Sequence, residues 1–96
     1  MAYILHCLDK PGSLELRKAT RERHLDYLKG TAVSVLLGGA MLGPDGAPVG
    51  SLLVVDAADE AEVERFVEAD PYAKAGLFQT VEIRAFNPVV GSLLAS

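Results

Sequence analysis

The order in which extended and helical signals follow one another constrains this chain most. Ala2 to Leu8 is a short apolar run closed by the turn cluster Asp9-Lys10-Pro11-Gly12, which predicts a strand. Ser13 stands where an N-cap belongs, and Leu14 to about Lys29 reads as a helix closed by Gly30. Thr31 to Met41 is β-branched and apolar, Gly43 to Pro48 is turn chemistry, and Gly50 to Asp56 predicts a third strand. Asp59, with Glu62 three residues on, opens a second helix from Glu60 to Ala69. Pro71 forces Asp70 out of helical geometry and ends it. A turn over Tyr72–Gly76 then leads into a last strand, Leu77 to Phe86. The order is β-α-β-β-α-β, which predicts a ferredoxin-like α+β fold: a four-stranded antiparallel sheet with two helices on one face. The tail, residues 88–96, is apolar without a clear period, a composition suited to docking on a partner subunit.

At 96 residues, half of them hydrophobic and 23% charged, the chain reads as one globular domain. The first strand carries apolar residues on both faces, Tyr3, Leu5 and Cys7 on one and Ile4 and Leu8 on the other. Helices cover one face only, so the reading predicts a homodimer through the open sheet face. A net charge of −4 without a basic stripe argues against nucleic acid as a partner. No stretch approaches the roughly 20 apolar residues of a membrane span, so no membrane partner is expected. The run Met1 to Leu5 has no basic flank and ends at His6, unlike a signal peptide, and the expected compartment is the cytoplasm. One cysteine allows neither an intrachain disulfide nor a cysteine-based zinc site, and the two histidines show no metal-ligand spacing with the acids. Neither a metal nor a cofactor is expected. The glycine-rich stretch Gly38 to Gly50 lacks the Gly-Lys-Ser/Thr ending of a phosphate loop and reads as strand and hairpin.

Chemistry enters with the first helix. At helical spacing, Arg17, Arg21 and His24 share one stripe in the arc that should face the sheet. Buried cations are costly unless paired or held at a wet cavity. Two arrangements meet that demand: arginines snorkelling from the helix edge beside a hydrogen-bonded core histidine, or a pocket between helix and sheet that holds an anion or a reacting group. Asp70 is the second anomaly. It follows Val63 by seven and Phe66 by four, on the apolar face of the second helix and at the end where the macrodipole disfavours a carboxylate. Either it turns to solvent ahead of Pro71, or it meets a cation of the first helix. His6 and Cys7, adjacent on a strand, point to opposite faces and form no dyad, and Cys7 reads as a core residue. Ser51 opens a strand beside the glycine turn, where it could line a pocket.

Together, Ser13-Leu14-Glu15-x-Arg17, Arg21-x-x-His24-Leu25, Gly39, Gly50-Ser51 and Asp70-Pro71-Tyr72-x-x-x-Gly76 resemble the YCII (YciI-like) family over nearly the whole chain. The resemblance implies a ferredoxin-like domain, dimeric through its sheet, with a His–Asp pair as the proposed active site; the matching residues here are His24 and Asp70. Some relatives resemble participants in aromatic degradation, including dehalogenation-type steps. Glu22 and Ala40 depart from the family pattern, which often has proline at both positions.

The leading expectation is a small cytoplasmic enzyme acting on an anionic or aromatic small molecule. His24 would be the general acid/base, because imidazole is the side chain that ordinarily titrates nearest neutrality. Asp70 would orient the ring, and Arg17, Arg21, Ser51 and Tyr72 would bind substrate. No serine or cysteine nucleophile is evident beside them, so an isomerase, lyase or dehalogenase-type step fits better than acyl transfer. The alternative is a non-catalytic dimeric binding or interaction module in which His24–Asp70 is a structural ion pair. Room beside the imidazole favours the enzyme; a filled interface favours the module.

Overall fold

The computed structural model describes residues 1–31 and 33–92. The elements are β1 (Ala2–Asp9), α1 (Leu14–Lys29), β2 (Ser34–Leu42), β3 (Pro48–Asp56), α2 (Glu60–Ala69), α3 (Pro71–Lys74) and β4 (Phe78–Phe86). The strands form one sheet in the order β2-β3-β1-β4, with every neighbouring pair antiparallel. This is the expected βαββαβ arrangement, with β1 and β3 at its centre.

Several boundaries move. β1 runs one residue further than expected, to Asp9, and β2 starts at Ser34 instead of Thr31. The turn expected over Tyr72–Gly76 is largely a helix: Pro71, with its fixed φ, takes the first helical position of α3, and the Asp70 side chain caps it. Ser13 is not a side-chain cap; with φ −104° and ψ 15° it leaves the extended geometry of an N-cap and makes no such bond. At α2 the expected box forms with a shift. Asp59 Oδ1 accepts from the Glu62 amide at 2.9 Å, while Glu62 Oε1 accepts from the amide of Ala58, one residue before the cap.

Strand alternation decides what is buried. Tyr3, Leu5 and Cys7 of β1 stand opposite Val55, Leu53 and Ser51 of β3, and this row is buried. Val63 and Phe66 of α2 pack onto it. Gly50 lets the two strands close beside Ser51, because a Cβ there would collide with the carbonyl oxygen of Cys7. The opposite row, Ile4, His6 and Leu8 against Val54, Leu52 and Gly50, continues into β2 through Leu37 and Met41. Leu37, Leu52 and Leu8 are exposed there, so the open face is apolar at its centre.

The sheet side of α1 is only partly apolar, with Tyr27 and Leu28 packed half-buried against the core. Its buried residues are Arg17, Thr20 and His24, whereas Leu16 and Leu25 are exposed. Thr20 Oγ1 is satisfied within the helix by donating to the Leu16 carbonyl at 2.8 Å. Tyr27 Oη donates to the Phe66 carbonyl at 2.7 Å and ties α1 to α2. Val89 and Val90 of the tail are exposed, and the expected docking of residues 93–96 lies outside the described residues.

Candidate active site

Asp70 leaves α2 in extended geometry, as a residue before proline should, and so becomes the N-cap of α3. The carboxylate that looked misplaced at the end of one helix therefore faces the start of the next, where it is favoured. Its Oδ1 accepts two hydrogen bonds, from the Tyr72 amide at 2.9 Å and from His24 Nδ1 at 2.8 Å. An ionised carboxylate only accepts, so His24 Nδ1 carries the proton and Nε2 is left as the basic nitrogen of the neutral ring. The Tyr72 ring lies parallel to the imidazole, with centroids 3.9 Å apart and planes at 16°. His24 and Asp70 are both buried.

Arg17 is fixed from two sides. Its Nε and Nη2 donate to Oδ2 and Oδ1 of Asp9 at 2.6 and 3.0 Å, and Nη2 also donates to Ser51 Oγ at 2.8 Å. The guanidinium carbon lies 4.8 Å from the centre of the Tyr72 ring. Burial works against the Arg17 cation, but the hydrogen bonds and charge of Asp9 outweigh it and push its pKa above the ordinary arginine value. Asp9 is the functional-site residue that sequence reasoning missed. The sequence places it in the turn cluster Asp9-Lys10-Pro11-Gly12, yet it stands two residues after Cys7 and so shares the helix-facing side of β1.

These groups border a cavity of about 280 Å³ between α1 and the β2–β3 side of the sheet. Arg17, Arg21 and His24 reach it from α1, Ser51 from β3, and Tyr72 from α3. Gly38 and Ala40 of β2 line it too, and Gly38 makes room for the Leu53 side chain, which a Cβ there would meet. Arg21 is exposed, so the stripe expected to face the sheet divides: Arg17 and His24 are buried, and Arg21 borders the cavity from the solvent side. Among the described residues His24 Nε2 has no partner, and no buried side-chain nitrogen or oxygen lacks one; the nitrogen is therefore open to the cavity that His24 lines. His6 lies on the other face of the sheet, 3.9 Å from Glu82, away from this site. Among the described residues no three His, Cys, Asp or Glu side chains are grouped to hold a metal ion.

The YCII-related domain model matches residues 1–87 of the chain. The chain belongs to this family. YCII-domain relatives include Protein YciI of Escherichia coli O6:H1, 30% identical over 97 residues that cover 93% of this chain and 99% of that one. Among solved structures the chain is similar to 5-chloro-2-hydroxyhydroquinone dehydrochlorinase (TftG) of Burkholderia phenoliruptrix AC1100, in complex with 2,5-dihydroxybenzoquinone. That likeness has a TM-score of 0.80 and 35% identity, over 91% of this chain and 94% of TftG. PA3566 of Pseudomonas aeruginosa shares the fold alone, at 15% identity and TM-score 0.56 over 93% of each chain.

In this YCII domain the site also sets the chemistry of Cys7, which is buried behind it. Burial, then the charges of Asp70 and Asp9, push the thiol from its ordinary 9.0 up to about 12, with Arg17 opposing. Burial likewise raises Tyr27 and Tyr72 above the ordinary 10.0. A raised folded-state pKa contributes stability that is intact below the unfolded value and disappears as pH climbs through the folded one. In urea unfolding the Cys7 contribution should be intact below pH 9.0 and lost toward about 12, so the alkaline fall in stability should be shallower in Cys7→Ala. Identical alkaline profiles for the two proteins would contradict this account of the thiol.

Proposed function

We propose that this YciI-like protein is a small cytoplasmic enzyme that moves a proton on an anionic or aromatic small molecule, with His24 as general acid/base and Asp70 as its orienting partner. The observation that carries the reading is the bare His24 Nε2 at a cavity of about 280 Å³, while Asp70 Oδ1 holds Nδ1 at 2.8 Å. A structural ion pair has no need of room beside the imidazole, so the cavity favours an enzyme over a binding module. Arg17, Arg21, Ser51 and Tyr72 line the same space and serve as the substrate-binding groups.

The reaction class is an elimination or isomerisation. Similarity to a dehydrochlorinase at 35% identity supports the first. In loss of HCl from a chlorinated hydroxyhydroquinone, a substrate hydroxyl gives its proton to His24 Nε2 and the O–H pair flows into the ring. The imidazolium, held by Asp70, returns that proton to the chlorine-bearing carbon. A second hydroxyl then gives its proton to Nε2, its O–H pair flows into the ring, the C–Cl bond breaks with chloride taking the pair, and the imidazolium releases the last proton to water. Chloride release from 5-chloro-2-hydroxyhydroquinone should be catalysed by the protein. It should drop by roughly 100-fold or more in His24→Gln and less in Asp70→Asn. Equal release by wild type and His24→Gln would refute His24 as the acid/base.

The open sheet face, with exposed Leu8, Leu37 and Leu52, is the surface through which two chains associate as a homodimer. Sedimentation at micromolar concentration should give about twice 10.2 kDa, and Leu52→Glu should return the monomer mass. A wild-type monomer would rule the dimer out.

A further inference from the structure

The polar groups that line the cavity differ in role. His24 Nε2 is an acceptor. The other groups are donors, and their hydrogens are not used up. Three of the five guanidinium N–H groups of Arg17 are committed to Asp9 and Ser51, which leaves the pair on Nη1. Ser51 Oγ accepts from Arg17, and its own hydrogen has no protein acceptor among the described residues. Tyr72 is 99% buried, being 1% exposed, yet its hydroxyl has no partner among the described residues. Because no buried side-chain oxygen among those residues is orphaned, the little surface Tyr72 retains must include that hydroxyl, and the cavity is what it borders.

We infer that Tyr72 Oη, Ser51 Oγ and Arg17 Nη1 form an oxyanion subsite that binds the substrate as a phenolate or enolate, beside the His24 imidazole. Deepening the proposed function in this way rests on the cavity being the substrate site. The charges support one anionic oxygen and no more. Asp9 neutralises Arg17, Asp70 faces His24, and Arg21 makes no ion pair among the described residues. An anion bound there is held by aimed donors in a site partly closed to water, where such donors are strongest. Burial keeps the Tyr72 hydroxyl protonated and so a donor through the neutral range. Asp9 is the positioning residue: it turns a flexible guanidinium into a fixed one.

The test uses 4-nitrophenol, whose phenolate is yellow. Titrated with protein at a pH where the free probe is mostly protonated, it should yellow as its O–H bond breaks; the pair stays on oxygen, and one proton per site goes to a weakly buffered solution. Tyr72→Phe keeps the ring against His24 and removes only the donor. It should weaken phenolate binding by roughly tenfold to hundredfold, with Ser51→Ala weakening it less. His24→Gln should still turn the probe yellow. No yellowing with wild type at millimolar protein would overturn the subsite. So would equal binding by Tyr72→Phe, or a band lost in His24→Gln but kept in Tyr72→Phe. Because this readout needs no turnover, a protein inactive on the chlorinated substrate can still pass, so the two readings fail separately.

Discussion

One carboxylate oxygen holds the local chain and the chemistry together. Asp70 Oδ1 accepts from the Tyr72 amide and from His24 Nδ1, so the bond that starts α3 is made by the same atom that orients the imidazole. Pro71 makes this possible by keeping Asp70 extended and supplying a helical first residue with no amide to satisfy. One residue further, the turn of α3 lays the Tyr72 ring against His24 at 3.9 Å. Removing the carboxylate therefore loosens three things at once: the cap, the ring orientation and the stack.

The second constraint is electrostatic. A helix whose sheet-facing side is Arg17, Thr20 and His24 cannot be held by apolar burial alone. Asp9 answers it from the end of β1, with both bonds to Arg17 made by side chains only 6% exposed. Truncating one partner of a buried pair strands the other charge, typically at about 3–5 kcal/mol. The pair thus locks α1 to the central strand, and Ser51 of β3 shares the same guanidinium. What packing would fill in an ordinary α+β core becomes a cavity with charged groups among apolar ones on its wall, Gly38 and Ala40 of β2 included.

Much of this was legible in the sequence. Four apolar runs and two helical stretches, punctuated by Pro11-Gly12, Gly43-Pro44 and Pro71, suffice for the βαββαβ order. His24 and Asp70 each stand out because they break the apolar face of their helix; that they pair is what the family resemblance implies and the 2.8 Å contact shows. α3 was missed because a helix of four residues has no periodicity to read; its signal is the cap–proline pair Asp70-Pro71. Asp9 was hidden by its neighbours: Lys10-Pro11-Gly12 make a turn so plainly that the parity linking Asp9 to Cys7 is easy to overlook. Helical spacing alone could not separate Arg21 from Arg17 and His24, since it does not say where β2 stops covering the helix. The failed cap at Ser13 has the same character, because residue type at a helix start does not fix ψ.

Asp70 holds His24 with its proton on Nδ1 and leaves Nε2 bare toward the cavity. Nitrogen NMR of the His24 ring, recorded where the imidazole is neutral, reads that directly. The wild type should show the Nδ1–H form and Asp70→Ala a mixture of the two forms. A wild-type ring carrying its proton on Nε2, or one whose spectrum is unchanged by Asp70→Ala, would contradict it.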